Sequence, residues 1–237
     1  MTAAPADIEA LRRLVARTAA TDPADPAPVL DWLAARRGSL AFEAALIPLD
    51  EARGWRRNPD TGAVEHETGQ FFAVEAVRTR AGSEREVAEW DQPIFTQPDG
   101  GILAIVCGFA DGPESGIRFL LQAKAEPGNI GYLQISPTVQ ATNSNLRRAH
   151  RGRLPPLGEL LLEGAPATTV YAARHNEEGG RFWRKTNENR LLFVDDLAAV
   201  ALPHGDRFYA ASLAQIKTLC LIDDVISPFV KSIVAPI

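Results

Sequence analysis

Read with a period of two, residues 117–140 separate into an apolar row and a polar row. Ile117, Phe119, Leu121, Ala123 and Ala125 fall on one side, and Arg118, Gln122, Lys124 and Glu126 on the other, with Leu120 the exception. After a turn, Leu133, Ile135, Pro137 and Val139 alternate against Tyr132, Gln134, Ser136, Thr138 and Gln140. This alternation predicts two half-buried strands, and the short turn between them predicts antiparallel pairing. The polar row carries glutamines and hydroxyls where a solvated sheet normally shows lysine and glutamate. Neutral donors and acceptors in a row suit a pocket wall that hydrogen-bonds a polar ligand. The expectation is that Gln122, Lys124 and Glu126 face one cavity together with Gln134, Ser136, Thr138 and Gln140.

Elsewhere the pattern is mixed. Ile8, Leu11, Leu14 and Val15 form a helical stripe that TDPADPAP breaks, and VLDWLAARRG predicts a second helix ending at Gly38. Residues 1–38 read as an N-terminal helical arm, and residues 39–237 as the main domain. From Leu40 the strand signals are LAFEAALIPL, QFFAVEAVRTR, GILAIVCGF, IRFLLQAK, YLQISPTVQ, ATTVYAARH and NRLLFVDD. GILAIVCGF is apolar on both sides, which predicts a central strand covered on both faces. Helical intervals are expected near Leu157–Leu162 and Ser212–Ile222. The apolar stripe Leu213, Ile216, Leu219 and Cys220 belongs either to the core or to an interface. The fold class predicted is α+β with a mainly antiparallel sheet.

Composition narrows the function classes. With 237 residues and 46% apolar content the chain supports one large domain or two small ones. A net charge of −5 argues against a nucleic-acid partner, which calls for a basic footprint. No stretch approaches about 18 consecutive apolar residues, so no membrane span is expected. The opening MTAAPADIEALRRLVARTAA lacks an apolar signal core, and a cytoplasmic protein is expected. Cys107 and Cys220 read as buried, reduced thiols. Phosphate-loop, dinucleotide and nucleophile-elbow motifs are missing, and His66, His150, His175 and His204 lack metal-ligand spacing. Phosphoryl transfer, redox and metal chemistry therefore find no support, and no cofactor or metal is expected.

Four motifs stand in order along the chain: WDQPIFTQPDGGILAIV, FLLQAKAEPGN, LQISPTVQATNSN and RFWRKTNEN. With GWRRNPDTGAVEHETGQFFAVEAVR before them and SLAQIKTLCLIDD after them, the chain from about Trp55 onward resembles the NDP-hexose 2,3-dehydratase family of deoxysugar biosynthesis. The resemblance implies a lyase of the kind used in antibiotic biosynthesis. Such an enzyme converts a dTDP-4-keto-6-deoxyhexose into a 3,4-diketo-2,6-dideoxy sugar nucleotide. It also implies a Nudix-like module, a mixed sheet flanked by helices. REVAEW echoes one piece of the Nudix metal box, but the upstream glycine and glutamate spacing is absent. Family members carry two modules in tandem and this sequence reads as one, so a homodimer is expected. The alternative is a non-catalytic nucleotide-sugar-binding module or partner subunit. A labile diketone product further implies a downstream NADPH-dependent 3-ketoreductase.

The implied chemistry assigns roles to residues. The C3 proton lies beside the C4 ketone, so a positioned base removes it, charge develops on the C4 oxygen, and an acid assists loss of the C2 hydroxyl. Glu126 is the expected base or else caps the turn EPGN, where Pro127 and Gly128 suit a type II turn. Lys124 steadies the oxyanion, binds the diphosphate or is a plain surface lysine. Tyr132 is a candidate acid without support from the family pattern, and His150 is the second candidate base. Gln122, Asn129, Gln134, Ser136, Thr138 and Gln140 form the expected sugar- or base-binding set, the alternative for the strand residues being interior strand-to-strand bonding. Thr142 and Asn145 either join it or cap the next helix. Arg184, Lys185, Asn187 and Asn189 match the family's RK-x-N-x-N segment, and the two cations are expected on the diphosphate or else at a solvated hairpin tip. Arg147 opens the cationic run RRAHRGR, which is solvated or reaches a phosphate. Trp90 and Gln92, in WDQP, contact the base, or Trp90 fills core.

Overall fold

The structure, a computed structural model, describes residues 4–83, 85–97, 99–112, 115–146 and 154–237. In chain order the elements are α1 (Ile8–Thr18), α2 (Ala27–Gly38), β1 (Trp55–Arg57), β2 (Val64–His66), β3 (Ala73–Arg80) and β4 (Glu89–Thr96). Then come β5 (Gly101–Phe109), β6 (Ile117–Ala125), β7 (Leu133–Pro137), β8 (Val139–Thr142), α3 (Asn143–Leu146), β9 (Thr168–Asn176) and β10 (Thr186–Val194). Last are α4 (Leu197–Ala201), β11 (Phe208–Ala211), α5 (Leu213–Leu219) and α6 (Pro228–Val234). The class is α+β. No helix among the described residues is long and apolar enough to cross a membrane. Two compact units emerge: Met1–Ala44 with Gly101–Ala173 and Glu188–Ile237, and Ala45–Gly100 with Arg174–Asn187.

The first unit is built on β5. Its sheet runs β11-β6-β5-β10-β9, with β7 added to β6 and β8 added to β5. Leu103, Ile105, Cys107 and Phe109 point into one core, and Ile102, Ala104 and Val106 into the other. The doubly apolar strand is therefore covered on both faces, as its sequence predicts. Gly108 lets β10 approach, since a Cβ there would stand 2.4 Å from the Val194 carbonyl oxygen. The helices expected as an arm place Leu11, Val15, Val29 and Leu33 in the first core. Arg118 of β6 reaches Asp22 in the loop between them at 2.8 Å, a pair largely shielded from water. A capping box opens α5: Gln215 N donates to Ser212 Oγ and Ser212 N to Gln215 Oε1, both at 3.0 Å. Leu213, Ile216 and Leu219 are buried in the first core, so this stripe is intramolecular.

Three expectations are corrected here. LAFEAALIPL forms no strand: it runs unpaired, and Leu46, Ile47 and Leu49 are exposed. Apolar content alone cannot make a strand without a ladder partner, and Pro48 has no amide to donate. YLQISPTVQ is two strands, β7 on β6 and β8 on β5, broken at Thr138. EPGN does turn, with Asn129 N donating to Glu126 O at 3.2 Å, but Gly128 lacks the positive φ of a type II turn. The helical interval expected near Leu157–Leu162 is present, as a short 3-10 helix, Gly158–Leu161.

The second unit is an antiparallel meander, β1-β2-β3-β4. Its apolar packing is aromatic: Phe72 lies 4.9 Å from both Trp55 and Phe95, and Phe95 lies 5.4 Å from Phe182. Backbone bonds from Phe95 N to Arg181 O (2.7 Å) and Trp183 N to Phe95 O (2.8 Å) stitch Arg181–Trp183 to β4. β4 contains Pro93 yet stays a strand, because it is the sheet edge.

Candidate active site

The β6–β7 register sets Gln122 opposite Ser136 and Lys124 opposite Gln134. Residues opposite one another in an antiparallel pair share a face, so these four side chains stand on one side, as expected. The continuous alternation through Gln140 does not hold. Leu133 and Ile135 pack in the first core, whereas Val139 and Ala141 pack in the second. The phase therefore slips at Thr138, and Gln140 pairs opposite Leu103 of β5. Thr138 is the reason. Its hydroxyl accepts from Val106 N at 2.9 Å and donates to Leu120 O. It joins β5 to β6 where their own ladder ends, and at 1% exposure it lies inside the fold.

Despite the slip, Gln140 meets the end of β6. Lys124 Nζ donates to Glu126 Oε1 at 2.9 Å, and Gln140 Nε2 donates to the same oxygen at 3.3 Å. Both ion-pair side chains keep solvent access, 27% for Lys124 and 35% for Glu126. Gln140 Oε1 is buried and has no partner among the described residues. The arrangement offers a half-open carboxylate, an adjacent cation and an unused acceptor. Around it, Gln122 Nε2 donates to Pro137 O at 2.9 Å and Gln134 Nε2 to Asp224 O at 3.2 Å. Ser136 is buried. Asn129 Nδ2 donates to Tyr132 O at 3.2 Å, and the Tyr132 hydroxyl donates to Ala44 O at 3.0 Å. That hydroxyl hydrogen is thus already engaged, which disfavours Tyr132 as the acid. Thr142 Oγ1 accepts from Asn145 N at 3.2 Å and lies 2.8 Å from Ser144 Oγ, the capping geometry for α3. Arg147 and His150 lie outside the described residues.

The remaining expected residues belong to the second unit, apart from Asn189. Trp90 Nε1 donates to Gln92 Oε1 and Gln92 Nε2 to Gly180 O, both at 2.8 Å. Gln92 also borders a concavity of about 520 Å³ lined by Val64, Ala76, Asp91 and Pro93 among others. Hydrogen bonds from Arg78 hold the Asp91 carboxyl below its ordinary pKa. Lys185 turns inward: Nζ contacts Gln97 Oε1 at 2.8 Å and Glu177 Oε2 at 3.2 Å, and stands 4.9 Å from the Phe182 ring centre. Asn187 Nδ2 donates to the same Glu177 oxygen. Arg184 is exposed, with φ +50° and its guanidinium 4.7 Å over Trp183. Asn189, in the first unit, donates to Ser232 Oγ at 2.9 Å. The RK-x-N-x-N segment thus divides between inward and outward side chains. Glu177 was missed by the sequence reading. The acidic pair in NEEGGRFWRK, facing a cationic pair across a turn, was the available signal.

Fold and site together describe an α+β protein with a carboxylate–lysine–amide cluster on a divided sheet. The family model described as NDP-hexose 2,3-dehydratase matches residues 26–237, and the chain belongs to that family. Proteins named dTDP-4-dehydro-6-deoxy-alpha-D-glucopyranose 2,3-dehydratase are similar to it. The one from Saccharopolyspora spinosa is 35% identical over 206 residues, 86% of this chain and 40% of the relative. The one from Amycolatopsis orientalis is 34% identical over 209 residues, 86% of this chain and 43% of the relative. The one from Streptomyces violaceoruber is 38% identical over 162 residues, 68% of this chain and 36% of the relative. The chain spans less than half the length of each of these relatives.

Proposed function

We propose that this chain is a sugar-nucleotide 2,3-dehydratase acting on a dTDP-4-keto-6-deoxyhexose in deoxysugar biosynthesis, in the cytoplasm and without a cofactor. The observation that carries the reading is the cluster of Lys124, Glu126 and Gln140, with an unpaired buried acceptor on Gln140. Glu126 takes the C3 proton, which the neighbouring C4 ketone acidifies. Lys124 supplies positive charge to the C4 oxygen as the enediolate forms. Gln140 Oε1 orients the C2 hydroxyl by accepting its hydrogen bond, and Glu126, now protonated, returns its proton to that oxygen so that it leaves as water; the resulting enol tautomerises to the 3,4-diketone. Gln122, Gln134 and Ser136 line the same side of the β6–β7 pair and supply neutral contacts to the sugar. Asn129, Thr142, Asn145, Arg147 and Asn189 are proposed as further contacts of the first unit; Trp90, Gln92, Arg184, Lys185 and Asn187 are proposed as binding residues of the second unit by themselves.

The module is proposed to be Nudix-like and to act as a two-fold homodimer, the commonest closed assembly of soluble proteins. The exposed side chains of Leu46, Ile47 and Leu49 supply apolar surface for such an interface. The second reading is a nucleotide-sugar-binding module without catalysis, and the neutral row of Gln122, Gln134 and Ser136, suited to holding a ligand without chemistry, is the observation in its favour.

The test supplies dTDP-4-keto-6-deoxyglucose together with an NADPH-dependent 3-ketoreductase, which traps the labile diketone. Formation of the reduced 2-deoxy product supports the dehydratase. dTDP binding without that product leaves the binding module.

A further inference from the structure

Three features of Tyr132 converge on Glu126. Its φ of +63° follows Gly131 at +67°, so a ring-bearing residue occupies the left-handed region, which such residues adopt only where their surroundings impose it. This twist turns the Tyr132 carbonyl towards the Glu126 amide, which donates to it at 3.0 Å, and towards Asn129 Nδ2 at 3.2 Å. The side chain then holds the twist. Its hydroxyl donates to Ala44 O at 3.0 Å, and its ring meets Phe42 edge-on with centres 5.6 Å apart. Phe42 and Ala44 lie in the unpaired run that follows α2. The next residue is tied to α2 as well, with Arg37 Nη2 donating to Leu133 O at 3.0 Å.

We infer that Tyr132 is a positioning residue for Glu126, fixing through its strained backbone and tethered ring where the carboxylate stands between Lys124 and Gln140. The inference rests on the reading of Glu126 as the base. Tyr132 acts on the reaction only through the Glu126 amide. A misplacement of about 1 Å can cost about a hundredfold in rate, so a loop clamped at both ends is a means of control over turnover. Binding of the nucleotide has no part in it.

Two variants separate the parts. Tyr132→Phe keeps the ring and deletes the hydroxyl, while Tyr132→Asn keeps a residue tolerant of left-handed backbone and deletes the ring. Both should lower kcat, by about ten- to a hundredfold, with KM and dTDP affinity unchanged. In a Glu126→Gln background, Tyr132→Phe should cause no further loss, because its effect passes through that carboxylate. Losses that simply add, or that fall on dTDP affinity as much as on kcat, overturn the inference. Amide hydrogen exchange gives a readout free of turnover: Glu126 N–H should exchange faster in Tyr132→Asn while β5 amides stay protected. Unchanged protection of Glu126 overturns the inference. A fully active Glu126→Gln overturns the base reading and this inference with it. An inactive Glu126→Gln beside an unaffected Tyr132→Phe overturns the inference alone.

Discussion

Glu126 is held by a lysine, a glutamine amide and its own backbone, and it still reaches solvent. Those are the surroundings of a carboxylate that can exchange a proton with a bound molecule. Replacement by glutamine keeps the shape and removes the proton acceptor. Turnover should fall by about 10²–10⁴-fold in the ketoreductase-coupled assay, with dTDP affinity little changed by calorimetry. Activity within a few fold of the wild type would reduce Glu126 to a turn residue. Cys107 is the opposite case. Full burial pushes its thiol up to about 12, so in native protein at pH 8 an alkylating reagent should label Cys220, which is partly exposed, and spare Cys107. Denaturant should expose the second thiol, and mass spectrometry counts both. The sign for stability follows. The folded state keeps the Cys107 proton more tightly than the unfolded chain, so the buried thiol's contribution is complete below the ordinary thiol pKa of about 8.5. It is lost as pH rises towards about 12.

At the scale of elements, the hairpin tip of β9 and β10 is governed by an enclosed ion pair. Lys185 and Glu177 are only 10% and 13% exposed. Removing one partner strands the other charge, at a cost of about 3–5 kcal/mol. Lys185→Met should lower unfolding free energy by that order in urea titrations, and adding Glu177→Gln should restore much of it. A loss below about 1 kcal/mol, the range of surface pairs, would mean that the pair is solvated in solution. The elements also show what the sequence made legible. β5 could be read because both its faces are apolar, and α5 because its helical stripe follows Ser212. The slip at Thr138 could not, since a period-two pattern continues on either side of it and only the partner strands differ. LAFEAALIPL reads as a strand because composition reports a side chain's affinity for a core and says nothing of a free ladder edge. β4 was hidden by Pro93, which an edge position tolerates. The convergence of Lys124, Glu126 and Gln140 was legible as a polar row, though the row bends where sequence shows it straight.

For the whole molecule, the proposed assembly makes a simple demand. Light scattering at micromolar concentration should give twice the mass of the chain, and an obligate interface should bury about 2,000 Å² or more. A monomer would favour the binding-module reading. One feature of the first unit bears on how it comes apart. β5 is a wall common to both cores, with Ile105 and Cys107 facing one and Ala104 and Val106 the other, all fully buried. Peeling either cover from it would wet a strand that has no water-facing side, so partial opening of this unit has no cheap form. Its melting should therefore be cooperative: a single calorimetric transition for the first unit, with van't Hoff and calorimetric enthalpies in agreement.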